Sequence, residues 1–397
     1  MLKKITLCIT ALIILKSSIA YSQKKELLVL DYSTKLPIEG VNIFYQDLHE
    51  GSFTNSDGKA TIHLKDNDLK ISHINYTEII IPNKEQQKLS TILLIPKAIF
   101  LDEVIVSSFN LPKAMKYVIA NYGKLYENRP FEKECNFKET LTIDGNLKRL
   151  IMSKVNWWGK SYKFKHIDDL KLRLGSVDFN KNECLNIFTD SIKDNTPLNT
   201  GAIPTKNIVG VLYLNNVLNN FQKYLGGITS VVEQSPSNEI RVSYETQWVK
   251  LRNGSEKYSG QIIFDKQTKA ITSFSISAEK KGDITKRFTE FSKKPFTVKN
   301  TESVSSYTFI KDLNNKWTLN SLELVADASL NHNNKTYKSR VTNSIFILKE
   351  SPIKKVNNNG LIDLTKPIFE SLPSLEIANA NSILLNEEEK KFIYDKK

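Results

Sequence analysis

The sequence predicts a mainly β protein: an N-terminal seven-stranded β-sandwich followed by a large antiparallel curved sheet or half-barrel with a few helices. Three observations carry that expectation. Short alternating runs recur at about ten-residue spacing from Lys25 to Val106, which is a sandwich pattern. Longer alternating runs resume after Phe131, separated by turns such as Asp144-Gly145, as in antiparallel meanders. Only 111–125, 207–225 and a stretch after Asn386 change to helical period. At 397 residues, 40% hydrophobic and 25% charged, the chain has material for two or three domains with real cores.

In chain order, residues 1–22 read as a signal peptide. Lys3-Lys4 precede the apolar run Ile5–Leu15, and Ser18-Ile-Ala20 or Ala20-Tyr-Ser22 offers a small-x-small cleavage pattern. The apolar run is about half of what a spanning helix needs. The mature chain is then expected to be exported, periplasmic or outer-membrane associated. Its net charge of +13 falls to about +10 once Lys3, Lys4 and Lys16 leave. A surplus of that size attracts anionic neighbours; the address points to lipid headgroups or polysaccharide rather than nucleic acid, or to a merely soluble basic surface. Cys8 leaves with the leader, so Cys135 and Cys184 form either one disulfide or two isolated buried thiols.

Residues 24–106 form the expected sandwich. Lys25–Tyr32 is its first strand, and Pro37 and Gly40 punctuate the loop that follows. Alternating runs flank the turn Asn55-Ser-Asp-Gly58 within Gly40–Ile62, predicting a hairpin. Leu69–Tyr76, Thr77–Ile81, Leu89–Ile95 and Ile99–Val106 complete the set.

Thr34, Pro37, Gly40, Val41, Thr54, Asp57, Gly58, Ile62, Ser72 and Tyr76 fall in an order that resembles the carboxypeptidase-D regulatory-like domain. That resemblance covers about a fifth of the chain. It implies a prealbumin-like sandwich of the kind found at the front of Bacteroidota envelope proteins. Leu101-Asp-Glu-Val-Ile-Val106 is similar to a segment that follows this domain in many such proteins and, in outer-membrane receptors, belongs to the region engaging TonB. The motif residues are explained by turns and core packing, and no zinc-binding H-x-x-E accompanies them.

Residues 107–397 are expected to form one β-rich domain. Met115, Val118, Ile119 and Tyr122 make the apolar stripe of a helix over Leu111–Leu125, with Pro112 in its first turn. Asp168–Pro204 reads as a long polar connection, and Asn207–Leu225 as a helix ending at Gly226-Gly227. Asn386 caps a final helix whose first turn holds Glu387–Glu389, a capping role rather than a site. Gly260–Ile271 and Asn381–Leu385 loosely resemble the C-terminal part of uncharacterised Bacteroidota envelope proteins.

The sequence offers no catalytic, cofactor or metal motif: the five histidines are scattered, and neither a nucleophile elbow nor a phosphate loop is present. The strands after 131 are too few for a TonB-dependent receptor barrel. Trp157, Trp158, Tyr162 and Phe164 are the ligand-binding candidates: exposed, they would stack on sugar rings or hold an acyl chain; facing inward, they are core. The expectation is therefore a non-catalytic envelope protein that binds a lipid, a glycan or an outer-membrane or periplasmic protein, with peripheral membrane contact. The alternative is an envelope hydrolase with its site on the large sheet, and a cluster of perturbed titratable groups near His166 or Asp168 would favour it.

Overall fold

The computed structural model describes residues 24–45, 48, 50–73, 75–97, 109–183, 205–234, 238–288, 294–312, 314–332, 334–351, 358–373 and 385–394. The expected leader, the strand at 99–106 and Cys184 lie outside them.

Seven strands build the front sandwich. β1 (Lys24–Asp31), β4 (Lys59–His63) and β7 (Thr91–Leu94) form a three-stranded sheet in the order β4-β1-β7. β2 (Asn42–Tyr45), β3 (Glu50–Phe53), β5 (Leu69–His73) and β6 (Tyr76–Ile81) form a four-stranded one in the order β3-β2-β5-β6. Alternation sends Leu27, Val29, Ile43, Ile62, Ile71 and Ile92 into the space between them. A one-turn helix, α1 (Asn83–Gln86), joins β6 to β7.

The turn at Asp57-Gly58 corrects the sequence expectation. β3 pairs with β2 and β4 with β1, so the chain crosses between sheets there rather than folding back as a hairpin. Asn55 explains the geometry, its Oδ1 accepting from the amides of Asp57 (3.0 Å) and Lys59 (2.9 Å). Gly58 sits at φ 71°, where a Cβ would meet the carbonyl oxygen of Val29 at 2.5 Å. Local turn chemistry is as read; the partners of the strands on either side are set by the sandwich.

The remaining strands form one open sheet of twelve. In chain order they are β8 (Phe131–Ile143), β9 (Asn146–Gly159), β10 (Leu170–Asn182), β11 (Ile228–Gln234), β12 (Glu239–Thr246) and β13 (Val249–Leu251). β14 (Gly254–Asp265), β15 (Ile271–Lys281), β16 (Ile284–Phe288), β17 (Pro295–Lys311), β18 (Trp317–His332) and β19 (Lys335–Ser351) follow. The main path runs β10-β9-β8-β19-β18-β17-β15-β14-β12-β11, with β13 on β14 and β16 on β17. β8 and β9 meet at Asp144-Gly145, both at positive φ as a tight hairpin turn requires. β10 occupies what the sequence suggested was part of a connection. Register shifts after Leu174 and Val177 break its alternation and hide it from a period-two reading.

Helices cover one face of this sheet. α2 (Leu111–Ala120) starts on Asn110, whose Oδ1 accepts from the Lys113 amide at 2.9 Å. It stops at Asn121, and α3 (Tyr122–Leu125) follows as a separate turn. The apolar run after Thr205 also splits, into α4 (Thr205–Leu212) and α5 (Leu214–Phe221). The break is Tyr213, which is extended (φ −104°, ψ 108°). Its buried ring lies edge-on to Trp157 at 5.2 Å and stacked on Tyr162 at 5.5 Å. Packing of one large aromatic residue thus outweighs helical continuity. With these helices, Tyr126, Tyr162, Phe264, Phe274 and Tyr307 belong to the main core.

α6 (Glu387–Tyr394) packs Phe392 and Ile393 on Leu150, Met152, Phe179 and Leu385. Asn386 and Glu389 cap it reciprocally: Asn386 Oδ1 accepts from the Glu389 amide (2.8 Å) and Glu389 Oε2 from the Asn386 amide (3.0 Å).

Candidate functional site

The other face of the large sheet points at the sandwich. In β18 the alternation is explicit: Leu322 and Leu324 join the helix-covered core, whereas Ser321, Glu323 and Val325 face the opposite way. Strand register extends this face into lateral rows. One row runs Asn136, Phe346, Ser321, Thr308, Ser273, Ile263, Arg241 across seven strands. The next runs Lys138, Ser344, Glu323, Ser306, Ser275. From Glu323 on β18 to Arg241 on β12 is four strand spacings, about 19 Å.

The outer face of the four-stranded sandwich sheet lies over these rows, presenting Asn42, Phe44, Lys70 and Ser72. The layers touch along two sides. On one, Phe53 packs on Phe346 with ring centroids 4.2 Å apart, Lys349 pairs with Glu50 at 3.4 Å, and Asn386 Nδ2 donates to Ser56 Oγ at 2.8 Å. On the other, Lys97 pairs with Glu239 at 3.3 Å. Between them lies a cleft of about 1500 Å³. That exceeds the usual range for a small-molecule pocket, about 300–1,000 Å³, and suits an extended ligand.

Two sheets that pack to make a core meet through apolar side chains. Apart from the Phe53–Phe346 contact, these meet through hydroxyls, amides and charges, and leave space. Asn42 and Asn136 are at most 5% exposed and line the cleft, and Asn42 Nδ2 and Asn136 Oδ1 have no hydrogen-bond partner among the described residues. A buried amide atom in that state costs about 1–3 kcal/mol unless water or a ligand satisfies it.

Charged groups gather at both ends. Glu39 of the sandwich, Lys138 of β8, Glu323 of β18 and Glu389 of α6 form the first set, with Lys138 ion-paired to Glu389. Glu39 and Glu323 are solvent-accessible yet walled by the two layers. Loss of surrounding water raises the Glu39 carboxyl above its ordinary range, opposed by Lys138 and reinforced by Glu323 and Glu389. The same desolvation raises Glu323, against a hydrogen bond from Ser344 and the charge of Lys138. At the other end, burial first and then the charge of Lys97 lower His73 to about 4, so its ring is neutral at pH 7. Lys97 is itself lowered by burial, against the pull of Glu239.

None of the four aromatic candidates lines this cleft. Trp157 and Tyr162 are 1% and 0% exposed in the main core, where Trp157 Nε1 donates to Tyr213 Oη at 3.2 Å and Tyr162 Oη to the Leu212 carbonyl at 2.8 Å. Phe164 is half-buried against the same core. Trp158 is half-buried and alternates to the sheet's other side. Cys135 is a free thiol, buried, and pushed up to about 12 by that burial. His166 and Asp168 are exposed beside a short turn away from the cleft. Among the described residues no group of three or more His, Cys, Asp and Glu is placed to hold a metal ion, and no helix is long and apolar enough to cross a membrane.

Glu39, Lys138, Glu323, Asn42 and Asn136 were not singled out from the sequence, and Glu389 was assigned to capping alone. A signal for part of the site was present. The polar positions alternating with core residues in β8, β17, β18 and β19 are rich in Ser, Thr and Asn, where an open solvated face is usually rich in Lys and Glu.

No family model and no curated protein matches the chain. A solved structure from Bacteroides fragilis, of a protein of unknown function for which membrane association has been proposed, is matched at a TM-score of 0.14 with 6% identity, covering 82% of this chain and 97% of that one. A likeness so low carries no argument about this chain.

Proposed function

We propose that the chain is an exported, non-catalytic envelope protein that holds a polar, extended ligand of the glycan class between its sandwich and its sheet. The observation that carries this reading is the pair of polar rows under the sandwich. Hydroxyls and amides exchange hydrogen bonds with sugar hydroxyls, and the half-buried Phe346 and Trp317 on the lining offer apolar surface to a ring. An acyl chain fits poorly, because it would desolvate these groups and satisfy none of them. The resemblance of residues 25–106 to the carboxypeptidase-D regulatory-like domain and the leader-like residues 1–22 support an envelope address.

One observation favours a hydrolase instead. Glu39 and Glu323 are both accessible and both raised, and glycoside hydrolysis uses a carboxylic acid kept protonated beside a second carboxyl group. The test for both readings is titration of the full chain with envelope polysaccharide fragments, followed by assay of new reducing ends. Saturable binding with no cleavage supports the binding reading. Cleavage lost in Glu323→Gln establishes the hydrolase. Co-purifying acyl lipid with no glycan affinity contradicts both.

A further inference from the structure

A second surface lies away from the cleft, where β13 to β16 reach the far end of the large sheet. Two turns meet there. Gly254, which ends the β13–β14 hairpin, lies against the backbone of Lys281 and Gly282. Around this junction Trp248, Leu251 and Ile284 are 37%, 42% and 54% exposed, and Phe288, at the far end of β16, is 57% exposed. Single exposed apolar residues are ordinary; four large ones at one end of a sheet are not.

Their neighbours are basic. Lys250, Arg252, Lys281, Lys286 and Arg287 are all exposed on the same two segments. Lys281 Nζ stands 3.9 Å above the Trp248 ring centroid, and Lys286 Nζ is 5.4 Å from that of Phe288. The acids of this end are Asp283, 3.8 Å from Lys280 and accepting from Asn300 Nδ2 at 2.8 Å, Glu279 with Glu302 opposite it, and Glu256, which is buried opposite Val249 and Lys280. β16 is exposed at all five positions and, among the described residues, pairs with β17 alone. Its alternation puts Ile284, Lys286 and Phe288 on one side.

Apolar, basic, apolar on one side of a strand discriminates between partners. The dry centre of a protein interface excludes Lys. A lipid headgroup layer accepts both, taking aromatic and aliphatic tips a few ångströms deep while ammonium groups stay among phosphates. We propose that this end of the sheet docks the protein on an anionic lipid surface. The inference is independent of the ligand in the cleft.

The test uses the full chain with vesicles of phosphatidylcholine, with or without a third of phosphatidylglycerol. The expected result is co-sedimentation with the anionic vesicles only, abolished by half-molar salt, with a blue shift of tryptophan emission that disappears in Trp248→Phe although binding remains. Lys281→Glu/Lys286→Glu should lose at least about 25-fold in partition, since each basic group near the surface contributes about fivefold. Phe288→Ser alone should weaken partition with an unchanged unfolding midpoint, which separates docking from folding. Equal partition onto neutral vesicles, no partition, or self-association abolished by Phe288→Ser in place of vesicle binding would each overturn the proposal.

Discussion

The two faces of the twelve-stranded sheet come from the same strands and differ in every residue. On the helix side, Leu322, Tyr307, Phe274, Ile262 and Val242 line up across five neighbouring strands, each at most 1% exposed in what becomes the main core. One position along, Ser321, Thr308 and Ser273 line up beneath the sandwich. Both faces are covered by another layer, yet only one is filled. The difference teaches that coverage does not make a core: period-two alternation assigns stability to one side of each strand and leaves the other free to recognise something.

The largest test of this division is mutational. Trp157→Ala, on the core side, should cost about 3–5 kcal/mol in urea unfolding, while Thr308→Ala, on the cleft side, should stay within about 0.5 kcal/mol. Comparable costs at the two positions would end the distinction.

Ion pairs sharpen it next. Arg149 Nε donates to Glu139 Oε1 at 2.6 Å with both side chains at most 1% exposed, and burial raises Glu139 despite that partner. Glu139→Ala should therefore destabilise by about 3 kcal/mol, because a buried guanidinium loses a charged partner. Lys97→Ala, breaking the more accessible pair with Glu239, should cost under about 1 kcal/mol.

A pH titration probes the cleft side. The folded His73 pKa of about 4 lies below its ordinary 6.5, so in that window the unfolded chain binds the proton more readily. The His73 contribution is complete above pH 6.5 and is lost as pH falls toward 4. Melting curves across this range should flatten in His73→Asn; an unchanged slope would remove His73 from the account.

The most local effect belongs to the tail. Asn386→Ala should cost about 1 kcal/mol through the lost cap, and should speed amide exchange in α6 without altering exchange in the helix-side core.

The fold class was legible because alternation is local. The long strands other than β10, whose two register shifts break its alternation, announce themselves, and Asp144-Gly145 fixes its hairpin through turn chemistry alone. Pairing across sheets was not legible: Asp57-Gly58 shows the same chemistry and joins strands in different sheets. Tyr213 broke a helix for a tertiary reason, its contacts with Trp157 and Tyr162, which lie 56 and 51 residues earlier. The candidate site was least legible. Its pieces come from a loop and a sheet of the sandwich, the seven strands of the large sheet that carry the polar rows, and α6, and Glu39, Lys138, Glu323 and Glu389 are unremarkable where each stands in the sequence. The aromatic cluster at 157–164 drew attention for its composition, and packing used Trp157 and Tyr162 as core.

The central claim is that the cleft between sandwich and sheet is the recognition surface and takes a polar, extended ligand. The most direct measurement is calorimetric titration of envelope polysaccharide fragments into the wild-type chain and into Thr308→Trp, which fills the middle of the polar rows. Saturable binding by the wild type, lost at least about tenfold in a variant whose unfolding midpoint is unchanged, is the predicted result. Equal binding by both proteins would place the ligand elsewhere and contradict the account.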